Sequence, residues 1–86
     1  MAYAIEFRPS ARREFRKLPI DVKKRLQEAI DRLAEDPRPV GCKALRGEES
    51  VLRIRVGPWR ILYQVHDKQL VILVVRVGHR RKVYRS

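Results

Sequence analysis

Val51-Leu52-Arg53-Ile54-Arg55-Val56-Gly57-Pro58-Trp59-Arg60-Ile61-Leu62-Tyr63-Gln64-Val65 is the stretch on which the fold turns. Leu52, Ile54 and Val56 alternate with Arg53 and Arg55. After Gly57-Pro58, the residues Trp59, Ile61, Tyr63 and Val65 alternate again. A period of two marks a half-buried strand, and a Gly-Pro pair between two such runs marks a turn. Taken as a two-residue hairpin loop, Gly57-Pro58 pairs Val56 with Trp59, Arg55 with Arg60, Ile54 with Ile61 and Leu52 with Tyr63. The apolar partners then share one face, so the register is self-consistent. The same register gathers Arg53, Arg55 and Arg60 on the other face.

Working outward, Asp67-Lys68 is the next turn. Leu70 to Val77 is a nearly continuous β-branched run, as in a strand buried on both faces, and Gly78 is expected to end it. Upstream, Lys43 to Arg46 reads as a short edge strand before a turn at Gly47, and residues 37–41 as a loop. Val22, Leu26, Ala29, Ile30 and Leu33 recur at a helical period, and that helix should stop near Asp36, ahead of Pro37. A shorter helix is expected from about Pro9 to Leu18, with Pro9 in its first turn and Pro19 as the break. Tyr3, Ile5 and Phe7 alternate in a first strand over Ala2–Phe7. The order is β-α-α-β-β-β-β. We expect a single α+β domain over residues 1–86, its N-terminal helical hairpin packed on one face of a mostly antiparallel, twisted sheet.

Composition narrows the function. The 86 residues carry 21 Lys and Arg against 10 Asp and Glu, a formal net charge of +11. Residues 1–40 hold ten basic and seven acidic side chains, whereas residues 41–86 hold eleven and three. The second half therefore suits a polyanion or an acidic protein. No apolar run approaches the roughly 20 residues of a membrane helix. No signal peptide is visible, and a lone Cys42 cannot form an internal disulfide. The expectation is a cytoplasmic protein with no membrane partner.

Arg55 opposite Arg60 asks for an explanation. Two like charges about 5 Å apart repel by roughly 0.8 kcal/mol in water and roughly 3 at an effective dielectric near 20. Cross-strand pairs of this kind destabilise a sheet. A solvated basic face that blocks edge aggregation is one reading; an anion site on rigid strands is the other. The tail supplies His79, Arg80, Arg81, Lys82, Tyr84 and Arg85, which are expected to fold back over the same face. Residues 41–86 hold only Glu48, Glu49 and Asp67, too scattered for a two-metal carboxylate site. One Cys and two His argue against zinc. No metal and no cofactor is expected. Metal-free phosphoryl transfer fits these groups better: fixed guanidiniums neutralise developing charge, while His79 or Tyr84 handles protons.

These residues resemble a known family. Lys43-Ala44-Leu45-Arg46-Gly47, the stretch from Trp59 to Val65, and the stretch from Val77 to Arg85 resemble the RelE toxins of the RelE/ParE toxin–antitoxin superfamily. The helical start, Phe7 to Ala11 with Arg16-Lys17-Leu18-Pro19, also fits. The resemblance implies an endoribonuclease that cleaves mRNA in the ribosomal A site without metal, by 2′-hydroxyl attack, and so inhibits translation. It implies a RelB-like antitoxin, often acidic, that blocks the basic face, and a complex of the two that represses its operon DNA. It implies that Arg60 and Arg80 stabilise the transition-state phosphate, and that Tyr84 stacks on a base or assists proton transfer. Arg81, Lys82 and Arg85 are expected as diffuse RNA or antitoxin contacts.

Arg53 and Arg55 stand where well-studied relatives have lysines. Arginine stays protonated, so Arg55 is a poor general base. Either His79 takes that role or the arginines act by charge alone. The sequence ends two residues after Tyr84, so a C-terminal helix of some relatives is expected to be missing. The ParE branch shares the fold, poisons DNA gyrase and lacks most of these positions; a non-catalytic toxin of that kind is the alternative. A simple nucleic-acid-binding module is a third. Trp59 and Tyr63 are expected in the core.

Overall fold

A computed structural model describes residues 2–45 and 47–83, the side chains of Glu48, Glu49, Lys82 and Val83 excepted. Its elements are β1 (Ala4–Phe7), α1 (Pro9–Arg16), α2 (Ile20–Glu35), β2 (Lys43–Leu45), β3 (Glu48–Val56), β4 (Trp59–His66), β5 (Val71–His79) and α3 (Arg80–Val83). The β3–β4 hairpin has the register read from the sequence: Leu52 faces Tyr63, Ile54 faces Ile61, Arg55 faces Arg60 and Val56 faces Trp59. Gly57 makes this possible with φ of +61°, the positive value a two-residue loop demands at its first position.

The strands form one five-stranded sheet in the order β1-β5-β4-β3-β2. All neighbours are antiparallel except β1 with β5. The parallel pair follows from chain order, since α1 and α2 lie between β1 and the rest of the sheet. β5 thus becomes a central strand, as its apolar run requires.

The helices bury their apolar stripes on one face. Leu26, Ile30 and Leu33 of α2 and Ala11 of α1 pack with Ile54, Ile61, Tyr63, Ile72, Val74 and Val77. Burial of each large aliphatic chain stabilises the fold by about 1.5–3 kcal/mol. Tyr63 is fully buried, and its hydroxyl donates to the Pro37 carbonyl at 2.7 Å. Trp59 and Phe15 lie against the same core, half-buried.

Three features depart from the sequence reading. First, β5 runs through Gly78 to His79, because Gly78 pairs with Arg60 and His79 with Trp59. Second, the tail begins as a short helix, α3, tied to the hairpin by the Arg80 N–H donating to the Pro58 carbonyl at 2.9 Å. Third, the face away from the helices is not purely basic. Leu62 faces Arg76 while Tyr63 faces Val74, so Val75 is an extra residue in β5, a bulge. Val75 joins Val51 and Leu62 in a small second apolar cluster there, with Leu45 and Leu73 packed beside it. Among the described residues no helix is long and apolar enough to cross a membrane.

Candidate anion site at the hairpin end

The unusual group in this fold is Arg60. Strand alternation sends it to the face opposite the helices, yet only 6% of its surface is exposed. Its cross-strand neighbours are Arg55 on one side and Gly78 on the other. Gly78 has no side chain to compete for the space over β5. The guanidinium folds back on the hairpin loop, and its Nη1 donates to the carbonyls of Gly57 and Trp59, each at 3.1 Å. Its Nε is buried without a hydrogen-bond partner among the described residues. No described carboxylate pairs with it. A charge withdrawn from water without a counter-ion costs several kcal/mol. Two carbonyl dipoles offset part of that cost, and an anion would offset more.

Other cations gather at the same loop. Arg55 is exposed and directly opposite Arg60. Arg53 is half-buried two residues back on the same face, opposite Leu62. The Arg80 backbone is fastened to Pro58, which starts α3 beside the loop. Arg25 of α2 also reaches it: a Cβ added at Gly57 would lie 3.3 Å from the Arg25 Nη2. Sequence reasoning missed Arg25, because on the polar face of α2 it looks like any solvated helix cation.

The structure does not bring every expected residue to this place. His79 pairs with Trp59, so it shares the face of the helices and lies across the sheet from Arg60. Its ring meets Trp59 edge to face, with centroids 5.7 Å apart. Its Nδ1 accepts from the Arg81 N–H at 3.3 Å. The expectation that His79 folds over the Arg55–Arg60 face fails because β5 continues past Gly78 and strand alternation then decides the side. Arg81 is exposed on α3, and Lys82 lies in α3, where only the backbone is described. Tyr84 and Arg85 lie outside the described residues.

The arrangement suits an anion that can spread charge over several guanidinium groups. A phosphate fits, since its oxygens match the arginine donor fork.

The family model described as "ParE toxin of type II toxin-antitoxin system, parDE" matches residues 5–84. The toxin RelG of Mycobacterium tuberculosis is 33% identical over 86 residues, covering 99% of each chain. The mRNA interferase toxin RelE of Escherichia coli K12 is 33% identical over 84 residues, covering 95% of this chain and 87% of that one. In the crystal structure of the intact E. coli RelBE toxin–antitoxin complex, a chain 34% identical superposes with a TM-score of 0.82, covering 91% of this chain and 96% of the other. By its sequence over nearly its whole length and by its fold, the chain belongs to the RelE/ParE superfamily of type II toxin–antitoxin toxins, and is of the RelE type.

Proposed function

We propose that the protein is a metal-independent endoribonuclease that cleaves mRNA in the ribosomal A site, and that a RelB-like antitoxin neutralises it. The observation that carries this reading is the buried Arg60 guanidinium, which faces Arg55 and has no described carboxylate partner. The names of the relatives support the activity, and the RelBE complex supports the partner.

In this reading the ribose 2′-oxygen attacks the adjacent phosphorus. The bond from that oxygen to phosphorus forms and the bond from phosphorus to the 5′-oxygen breaks. The products are a 2′,3′-cyclic phosphate and a 5′-hydroxyl. One proton leaves the 2′-hydroxyl and another reaches the departing 5′-oxygen. Arg60 and Arg80 hold the phosphate oxygens as their charge builds, and Arg53 and Arg55 add to the field. Because His79 lies across the sheet, the arginines act by charge and the proton passes to water, with Tyr84 assisting transfer or stacking on a base. Arg81, Lys82 and Arg85 guide RNA by diffuse attraction. The antitoxin covers the same basic face, and the complex of the two represses its own operon.

The test is expression with and without a co-transcribed small acidic partner, coupled to mapping of message ends within codons. We expect translation arrest relieved by the partner, cleavage inside codons and intact DNA supercoiling. Arg60→Ala or Arg80→Ala should slow cleavage by about 10²–10³, as for loss of one preorganised donor. Near-normal cleavage by the double variant rejects the assignment. Lost supercoiling with uncut message would point to a ParE-like, non-catalytic toxin.

A further inference from the structure

A second polar hollow lies on the face that carries Arg60, farther along the sheet. It has a volume of about 350 Å³, and its polar lining is Arg8, Ser10, Ser50, Gln64 and Arg76. Gln64 lies four residues beyond Arg60 on β4 and on the same face, a distance of about 13 Å at the usual strand rise. Between the two lies Leu62, which is buried with Val51 and Val75 in a small apolar cluster. The face thus carries a guanidinium cluster at the hairpin loop and, beyond the buried Leu62, a second polar cluster.

The second cluster is built. Arg76 is held by Glu14, with Nη2 to Oε2 at 3.0 Å, and the other Glu14 oxygen accepts the Val77 N–H at 3.1 Å. Arg8 is anchored at the rim of the sheet by its own N–H, which donates to the Val74 carbonyl at 2.9 Å. Its side chain is exposed and has no ion-pair partner among the described residues. The Gln64 Oε1 lies 3.1 Å from the His66 Nε2, so the amide nitrogen keeps donors for another group. Ser10 and Ser50 offer hydroxyls that both donate and accept. Among the described residues, Arg8 and Arg76 have one carboxylate between them, that of Glu14, and this leaves positive charge beside groups able to bond a sugar hydroxyl.

We propose that this hollow is a second backbone subsite. It takes a phosphate and the neighbouring ribose of the same RNA strand. The inference rests on the nuclease reading above. Charge favours a phosphate. The serine and amide groups favour ribose, whose 2′-hydroxyl needs both a donor and an acceptor.

The experiment uses the full chain and RNA made non-cleavable by a 2′-deoxy nucleotide at the scissile position. Binding is measured against salt concentration for two probes. One is the dinucleotide spanning the scissile bond; the other is the same RNA extended by several nucleotides on both sides. Arg8 occupies the N-cap of α1 without a side-chain capping bond, so Arg8→Ala leaves the helix start intact. Arg8→Ala should weaken the extended RNA about fivefold and lower the slope of log affinity on log salt by about 0.7, the value for one phosphate contact on a single strand. The dinucleotide should be unaffected, and Gln64→Ala should weaken the extended RNA without changing the slope. Equal loss for both probes, or no loss for either, overturns the subsite. So does an Arg8→Ala effect confined to binding of an acidic partner peptide. If the unaltered protein cleaves RNA but is insensitive to Arg8, the subsite alone falls. If it neither binds nor cleaves RNA, the nuclease reading falls first and the subsite with it.

Discussion

The two ends of the β4 strand handle charge in opposite ways. At the turn after β4, Asp67 accepts from the Tyr3 hydroxyl at 2.7 Å and pairs with Arg38 at 2.9 Å. Nearby, the Tyr63 hydroxyl meets the Pro37 carbonyl, so the loop after α2 is clasped to the sheet. At the Gly57–Pro58 loop, Arg55 and Arg60 face one another and no described carboxylate joins them. Polar groups at the first end find partners within the chain. At the second end the chain supplies carbonyl dipoles and leaves a concentration of positive charge. A small domain tolerates such a cluster only if the surrounding core is secure, and here Ile54 and Ile61 are buried directly beneath the arginine pair. The contrast separates an end that holds the fold from the end that carries the proposed site.

Supplying the missing carboxylate should abolish that contrast most forcefully. Arg55→Glu would pair with Arg60 across the strands, a contact worth up to about 1 kcal/mol in place of a repulsion. We expect cleavage to fall by at least about 100-fold while the thermal midpoint rises by a few degrees, about 4–8 °C per kcal/mol for a domain of this size. A variant that loses stability and keeps its activity would show that the arginine pair is a solvated face and nothing more.

The opposite end should respond in stability alone. Tyr63→Phe removes the hydroxyl that satisfies the Pro37 carbonyl and should cost about 0.5–1.5 kcal/mol at neutral pH, with cleavage unchanged. Burial, with Cys42 close by, pushes the Tyr63 phenol well above its ordinary value. The folded state therefore holds this proton more tightly than the unfolded chain does. Its contribution is complete below about pH 10, the unfolded value, and fades as pH rises beyond it. Denaturation followed from pH 8 upward should show an alkaline loss of stability that is reduced in Tyr63→Phe.

The smallest effect is expected at Asp67. Hydrogen bonds from Arg38 and Tyr3 hold its carboxyl below the usual carboxylate range. A depressed value stabilises the fold above the unfolded value of about 3.9 and ceases to do so as pH falls through the folded one. Asp67→Asn should flatten the acid limb of the stability curve slightly and leave activity alone, because the group is solvent-exposed and screened. A change in cleavage would mean that the two ends are coupled.

Much of this architecture could be read from residue order. Alternation on both sides of Gly57-Pro58 specifies the hairpin register, because a one-residue slip would turn Ile54 and Ile61 toward the wrong face. The helical period of Val22, Leu26, Ala29, Ile30 and Leu33 is equally local. His79 was harder to place. Glycine usually punctuates a strand, but Gly78 continues one here because its bare backbone pairs opposite the bulky Arg60. The Val51–Leu62–Val75 cluster was also hidden. It depends on a bulge in β5, which breaks the strict alternation that sequence reading assumes.

Sequence alone determined the element order, the hairpin register, the excess of positive charge and the pairing of Arg55 with Arg60, since each depends on neighbours a few residues apart. Tertiary structure decided that Arg60 is buried, that Arg25 and the start of α3 meet at its loop, that His79 lies across the sheet, and that Arg8 and Arg76 line one hollow. Those facts depend on which distant strands and helices pack together. That choice is made by the free energy of burying the whole core, which no short stretch of residues contains.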